Sequence, residues 1–336
     1  MKKFKRIFAV FFCLLMAASI LSGCGKAESS SQTKTPAAET EKPLKIVTTI
    51  FPEYDWVRQI LGERAEDAEL TMLLDNGVDL HSYQPTADDI IKISDCDLFV
   101  YVGGESDGWV EDALKEATNQ NMKVINLLDV LGEQVKEEEV VEGMEGEEEE
   151  ETGEEEGPEY DEHVWLSVKN AGTLCNAIAD ALEEIDPANK EVYAANAKSY
   201  QEKLAALDAE YQSVVDNATR KTVLFGDRFP FRYLVDDYGL NYYAAFVGCS
   251  AETEASFETI SFLAQKVDEL KLPCVLTIEG AKHKIAETIV QNTAEKNQSI
   301  LTLDSMQGTT SKDVENGTTY LSVMENNLDV LKQALN

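Results

Sequence analysis

Residues 186–218, DPANKEVYAANAKSYQEKLAALDAEYQSVVDNA, carry a long helical pattern. Asp186 and Pro187 have the form of a helix N-cap followed by proline at the first helical position. Large and small apolar side chains then recur every three or four residues: Tyr193, Ala197, Tyr200, Leu204, Leu207, Tyr211 and Val214. About 30 residues at 1.5 Å each make a helix of roughly 45 Å, which is longer than one small domain. The pattern predicts one helix over 186–218 that runs along two lobes; two helices with a break are the alternative.

On both sides of this helix, short apolar strands alternate with helical segments. The predicted strands are 45–51, 70–73, 98–102 and 123–127 before it, and 222–225, 242–246, 274–278 and 300–303 after it. The alternation indicates an α/β fold with two doubly wound parallel sheets, in lobes of residues 43–185 and 220–336. Because such sheets bind ligands beyond the carboxyl ends of their strands, we expect the site in the cleft between the lobes.

The chain is strongly acidic, and much of the charge lies in one segment. Its 336 residues include 63 Asp and Glu against 29 Lys and Arg, for a formal net charge of −34. This charge repels phosphates, so we expect no nucleic-acid partner and an affinity for cations. Residues 136–162 alone hold 16 acidic residues and one Lys without apolar periodicity, which predicts a solvated loop. The loop either concentrates divalent cations near the cleft or is a disordered solubilising insertion.

Residues 1–24 are predicted to be a lipoprotein signal peptide. Four basic residues among the first six precede an apolar run that is too short for a spanning helix. The run ends in Leu21-Ser22-Gly23-Cys24, which resembles a bacterial lipobox, where the cysteine thiol takes a diacylglycerol. We therefore expect Cys24 to be the lipid anchor to the cell membrane and residues 25–42 to be a flexible extracytoplasmic tether. An ordinary cleaved signal with an incidental cysteine is the alternative.

The cysteines that follow Cys24 are Cys96, Cys175, Cys249 and Cys274, and their spacing fits no zinc motif. We expect them to be buried free thiols. An oxidising exterior also permits disulfides, of which Cys249–Cys274 is the pairing that the predicted strands favour.

Two of the three histidines lie in informative surroundings. The first lies in His81-Ser82-Tyr83-Gln84-Pro85-Thr86, with Asp89 shortly after it, and the second lies in Asp161-Glu162-His163-Val164-Trp165-Leu166, followed by Asn170 and Ala171. These stretches resemble the two ligand motifs of the zinc- and manganese-binding lipoproteins that feed ABC uptake transporters, H-S-Y-E-P-T-x-x-D and D-P-H-V-W-L-D-P-x-N-A. Gln84 replaces the acid of the first motif, and Glu162, Ser167 and Val168 depart from the second. The resemblance covers nearly all of residues 45–336. The resemblance implies that His81 and His163 are metal ligands.

The resemblance fails at the third ligand. The family uses His or Glu just after the first strand of the C-terminal lobe, where this chain has Gly226. The family's fourth ligand, an Asp after a late strand, corresponds to Asp304. The remaining candidates for the metal site are, in order, Asp304, Glu279 and Asp227, and His283 is a further replacement ligand. A pairing of Arg228 with Asp227 would remove that carboxylate from the site.

Two imidazoles with carboxylates suit Zn²⁺ first and Mn²⁺ next, whereas imidazole argues against Ca²⁺ or Mg²⁺. No thiolate occurs in either motif, which argues against a structural zinc site. The resemblance implies a monomeric, non-enzymatic solute-binding protein that captures the metal and delivers it to an ABC permease in the cytoplasmic membrane. The alternatives are the same architecture binding an organic ligand or metal chelate, a surface adhesin, and a metallohydrolase.

Overall fold

The computed structural model describes residues 42–146, 159–249, 254–280 and 282–336, and Pro43–Asn336 is one compact unit. Cys24 and the rest of the predicted export signal lie outside the described residues, as does the tether up to residue 41. Within the described ranges, none of the helices combines the length and the apolar character needed to cross a bilayer.

The N-terminal lobe contains four parallel strands: β1 (Lys45–Thr48), β2 (Glu69–Met72), β3 (Leu98–Tyr101) and β4 (Lys123–Asn126). Their order in the sheet is β2-β1-β3-β4. The helices of this half are α1 (Phe51–Leu61), α2 (Ala87–Ser94), α3 (Val110–Lys115), α4 (Leu127–Leu131) and α5 (Val168–Ile185). The strands and helices alternate as the sequence predicts.

The C-terminal lobe repeats this plan with strands β5 (Thr222–Phe229), β6 (Asn241–Val247), β7 (Cys274–Thr277) and β8 (Ser299–Thr302). All their pairings are parallel, in the order β6-β5-β7-β8. The helices here are α7 (Arg232–Tyr238), α8 (Phe257–Leu270), α9 (Lys284–Asn292), α10 (Ser311–Glu315) and α11 (Tyr320–Ala334). The two parallel sheets with their helices confirm the predicted fold of two α/β lobes.

One unbroken helix, α6 (Lys190–Asn217), connects the two sheets. Its predicted stripe is buried along the whole length, from Tyr193 through Leu204 to Tyr211. At the N-terminal end, the Asn196 amide donates to the Ile60 carbonyl at the end of α1. Towards the C-terminal end, the Tyr211 hydroxyl donates to the carbonyl of Met324 in α11 at 2.6 Å. The helix therefore packs against elements of both halves, and the alternative of two helices does not apply.

Helix α11 gives the lobes a second connection. Its first residue, Tyr320, is fully buried and donates its backbone N–H to the Asp55 carboxylate of α1 at 2.9 Å. The Tyr320 hydroxyl donates to the Trp165 carbonyl at 2.8 Å, and its ring packs edge-on against Trp56. The C-terminal helix thus begins on the N-terminal half of the molecule.

Several element boundaries differ from the sequence prediction. The connecting helix begins at Lys190 with Asn189 at its N-cap, and not at Asp186 and Pro187, because Asp186 lies at the C-cap of α5. Strand β1 ends at Thr48, and Pro52 lies in the first turn of α1 instead of ending the strand. The Glu53 carboxylate starts the helix early, because it accepts the backbone N–H groups of Thr49 and Ile50. Strand β5 continues to Phe229, with a register shift between Phe225 and Arg228. Gly226 and Asp227 therefore lie within a strand and not in the predicted turn after it.

The two ends of the acidic segment are packed against the protein, which corrects the prediction of a solvated loop over all of 136–162. Glu145 donates its backbone N–H to Ala245 and accepts the N–H of Ser256, the residue that caps α8. Met144 is buried beside them, and Asp161 and Glu162 are buried at the other end. Hydrogen bonds to the ends of strands and helices fix acidic residues such as Glu145 in place, and a search for apolar periodicity does not detect such contacts. Residues 147–158 lie outside the described residues.

Candidate metal site

His81 is positioned by a short 3-10 turn at Leu80–Ser82, at the N-terminal side of α2. The Asp79 carboxylate caps this turn by accepting the His81 backbone N–H at 3.1 Å. The Nδ1 atom of the ring lies 2.8 Å from the Ser106 hydroxyl and 3.5 Å from a carboxylate oxygen of Glu162. These partners fix the ring with Nε2 directed away from them. Burial, reinforced by the nearby His163, lowers the pKa of His81 to about 3.

His163 is completely buried just before a second 3-10 turn at Val164–Leu166. Oδ1 of Asp161 accepts both the backbone N–H of His163 and its Nδ1–H, each at 2.9 Å. Burial by itself would lower the pKa of His163, but the charge and hydrogen bond of Asp161 raise it above the ordinary value. Asp161 is thus the orienting partner of this imidazole, and Nε2 is left for a ligand.

The Nε2 atoms of His81 and His163 face each other at 3.2 Å. If both atoms bound one zinc ion at about 2.05 Å, this separation would correspond to an N–Zn–N angle of about 103°, close to tetrahedral. Both Nδ1 atoms have oxygen partners that hold this arrangement. The pair predicted from the sequence is therefore together, in a geometry that suits one metal ion.

Cys249 is the functional candidate that sequence reasoning missed. Its Sγ and one nitrogen each of His81 and His163 all lie within 4.8 Å of one another. Cys249 follows β6, at the carboxyl end of a parallel strand. Because ligands bind beyond such strand ends, this position in the sequence could have indicated that Cys249 is a site residue. All four cysteines among the described residues are free thiols, so the Cys249–Cys274 disulfide is absent. Neither motif contains a cysteine, but the fold brings the Cys249 thiol from outside the motifs next to their two histidines.

The three candidate acids are not in this cluster of ligand atoms. Glu279 holds the loop after β8, since its carboxylate accepts the N–H and hydroxyl of Ser305 and the N–H groups of Gln307 and Gly308. Asp304 accepts the Met306 N–H, and burial followed by the charge of Glu279 raises its pKa to about 6. The structure places both carboxylates in the framework of this loop.

Asp227 and Gly226 are directed elsewhere as well. The Asp227 carboxylate accepts the backbone N–H groups of Arg228 and Ile278. A Cβ atom on Gly226 would lie 2.6 Å from the Cα atom of Ala286 in α9, so this position faces a helix. His283 lies at the N-cap of that same helix. None of these residues belongs to the cluster around His81 and His163 within the described parts of the chain.

Two other side chains occupy the surroundings of the histidines. The Arg228 guanidinium donates to the Asp79 carboxylate at 2.7 Å, which joins β5 to the turn that carries His81. The Gln307 amide lies 3.4 Å from His163 Nε2, and its Oε1 atom is buried without a hydrogen-bond partner among the described residues.

A cavity of about 490 Å³ opens beside His81 and Cys249. Acidic side chains line it, with Arg228 as a cation in the same wall: Glu105, Glu138, Glu159 and Glu162. Burial raises the pKa values of Glu138 and Glu162. Glu138 and Glu159 come from the two packed ends of the acidic segment, so part of the segment's charge lies at the entrance to the site.

Known proteins share this architecture. The Zn(II)-bound ZnuA-like domain of Streptococcus pneumoniae AdcA superposes with a TM-score of 0.67 at 31% identity, covering 87% of this chain and 99% of that one. The zinc-binding protein AdcA of Streptococcus pyogenes serotype M3 is 31% identical over 87% of this chain, which spans only 56% of that protein. The high-affinity zinc uptake system protein ZnuA of Bacillus subtilis is 30% identical over 99% of this chain and 98% of its own length.

A family model also matches this chain. The model covers residues 46–334, almost all of the described protein. The chain therefore belongs to the family described as zinc-uptake complex component A, periplasmic.

Proposed function

We propose that this protein captures zinc outside the cytoplasm and delivers it to an ABC permease in the cytoplasmic membrane, with manganese as the next candidate metal. The observation that carries the proposal is the 3.2 Å separation of the Nε2 atoms of His81 and His163. A zinc ion bound to both would be the cargo of the protein and not a resident cofactor. This assigns the protein a transport role without catalysis.

The environment of the two rings supports metal binding over a purely structural role. Ligating histidines characteristically donate their other nitrogen to a carboxylate or similar acceptor, which fixes the tautomer and raises the basicity of the ligating atom. His163 has this arrangement with Asp161, and His81 has Ser106 and Glu162 at its Nδ1. Two imidazole nitrogens are preferred ligands of zinc.

The family and its members support the transport part of the proposal. The relatives are named as zinc-binding proteins, a zinc-binding lipoprotein and a zinc uptake system protein. We assign Cys24 as the lipid anchor, on the resemblance of its surroundings to a lipobox. We further assign residues 25–42 as the tether, so that the compact unit would work next to a permease as a monomer.

A zinc titration of three variants tests the histidine pair. His81→Ala and His163→Ala each remove one ligand, and each should weaken zinc binding by more than about 100-fold, beyond the 10–100-fold typical of outer-shell changes. The matched control is His283→Ala, which removes the third histidine of the chain at the start of α9. Parent-like zinc affinity in both ligand variants would contradict the proposal, and so would an equal loss in the control.

A metal chelate is the second candidate cargo. The cavity of about 490 Å³ exceeds the needs of a bare ion, and Arg228 in its wall could pair with an anionic chelator. Titrating the protein with free zinc and with zinc citrate separates the two. Tighter binding of the citrate complex that is lost in Arg228→Met would favour the chelate.

A further inference from the structure

The position of Cys249 next to the two histidines follows from close packing at the end of β6. A Cβ atom on Gly248 would lie 3.0 Å from Cε1 and 3.1 Å from Nδ1 of His163. Glycine therefore lets the backbone pass directly against the imidazole, and the next residue of the chain is Cys249. The other described cysteines, Cys96, Cys175 and Cys274, are buried and do not belong to this group.

The distances suit a shared tetrahedral ion. With Zn–S of about 2.3 Å and Zn–N of about 2.05 Å, tetrahedral geometry requires sulfur and nitrogen to be about 3.6 Å apart. The ligand atoms of His81, His163 and Cys249 already lie within 4.8 Å of one another. Each sulfur–nitrogen distance therefore has to shorten by at most about 1.2 Å to reach the tetrahedral value, and a rotation of the short cysteine side chain can supply such a change.

The loop that carries the thiol is also held in place. Oε1 of Glu138 accepts the backbone N–H of Cys249 at 3.2 Å, and the carboxylate pairs with the thiol as well. Glu138 lines the cavity together with Cys249. The packed end of the acidic segment thus holds the backbone of Cys249 at the wall of the cavity that His81 also lines.

We propose that Cys249 is the third protein ligand of the cargo metal, so that the site offers two imidazole nitrogens and one thiolate. This inference rests on the proposed zinc capture and specifies its selectivity. Thiolate is a soft ligand that favours zinc, whereas manganese prefers carboxylates and other oxygen donors. The thiolate therefore makes this site discriminate against manganese, in place of the side chain that Gly226 does not provide.

Cobalt(II) is the probe that tests the ligand directly, because a cobalt–thiolate bond gives an intense charge-transfer band in the near ultraviolet. The full-length protein should show this band on cobalt titration. Cys249→Ser should lose the band, bind zinc at least about tenfold more weakly, and bind manganese almost as well as the parent. The matched control is Cys274→Ser, which removes another described cysteine and should retain the band.

A second variant separates loss of the ligand from loss of the fold. Cys249→Asp supplies an oxygen ligand at the same position, and it should shift the preference from zinc towards manganese. If the parent binds cobalt through the histidines without a charge-transfer band, the thiolate ligand is refuted while zinc capture stands. If the parent binds neither cobalt nor zinc, the proposed function fails. If Cys249→Ser keeps the band or the parent zinc affinity, the inference also fails.

Discussion

Replacing Asp161 with Asn tests how the protein sets the metal affinity of His163. Oδ1 of Asp161 accepts two hydrogen bonds from His163 at 2.9 Å, one from the backbone and one from Nδ1. Asparagine keeps an acceptor oxygen on an equally large side chain and removes the negative charge. Loss of such a carboxylate partner typically costs 10–100-fold in metal affinity, or about 1.4–2.8 kcal/mol. We therefore expect zinc binding near pH 8 to weaken by that factor.

Competition between protons and zinc at His163 should become weaker in Asp161→Asn, although zinc binding near pH 8 is also weaker. Burial lowers the pKa of His163, but Asp161 outweighs it and raises that pKa above the ordinary value, so protons compete with the metal already at mildly acidic pH. Without the charge, the pKa of His163 falls, so the acid midpoint of the affinity profile moves to lower pH. This midpoint is the pH at which a variant's zinc affinity has dropped to half of its own value near pH 8. In the metal-free protein, the raised pKa stabilises the fold below the unfolded-state pKa, and this contribution is lost as pH rises through the folded-state pKa. Asp161→Asn should remove that contribution.

The assay is competition with a fluorescent zinc chelator between about pH 8 and pH 5. The matched control is Asp237→Asn, because Asp237 is also a partly buried carboxylate that accepts a hydroxyl, that of Ser167 at 2.6 Å. The control should leave both the affinity and the acid midpoint unchanged. The reasoning is refuted if Asp161→Asn binds zinc as tightly as the parent near pH 8, or if its acid midpoint stays or rises.

Three further variants test the surroundings of the site. Glu279→Gln should lower the free energy of unfolding by about 1–3 kcal/mol, because its carboxylate holds the loop at Ser305; a zinc affinity reduced more than about tenfold in the titration would instead indicate a ligand. Gly226→Ala places a methyl group 2.6 Å from Ala286 Cα and should cost about 1–3 kcal/mol in urea unfolding, and parent-like stability would contradict this packing. Arg228→Met removes a cation from the cavity wall, so calorimetry should find zinc binding about 3- to 10-fold tighter, or about 1 kcal/mol; weaker binding would show that the cation supports the site.

The architecture was predictable because periodicity records which side chains are buried. The stripe from Tyr193 to Tyr211 gave the connecting helix, and alternating apolar runs gave both sheets. The exact ends of helices and strands were harder to predict from the sequence, because hydrogen bonds of single side chains determine them. Glu53 binds two backbone N–H groups and so starts α1 before the position that Pro52 suggested. Hydrogen bonds of this kind between a side chain and the backbone depend on local geometry, which cannot be derived from the composition of the sequence.

The site was predictable only where a local motif carries it. His81 and His163 lie in recognisable stretches, and the structure brings their Nε2 atoms together. The proximity of Cys249 depends on a close approach between Gly248 and an imidazole 85 positions earlier in the sequence, and no local pattern encodes that contact. Gly226 was misplaced for a similar reason, since β5 continues through a register shift beyond Phe225.

Bulk charge and selectivity belong to different parts of this protein. A net charge of −34 raises the local concentration of any cation, and the acids at the cavity, such as Glu138 and Glu159, extend that effect to its wall. This attraction is screened by salt within about 8–10 Å and does not distinguish zinc from magnesium or calcium. Discrimination requires donors that hard cations avoid, and those are the imidazole nitrogens of His81 and His163. Carboxylates near the entrance can therefore speed the arrival of an ion, while the imidazoles, with the thiolate that we propose, determine which ion stays.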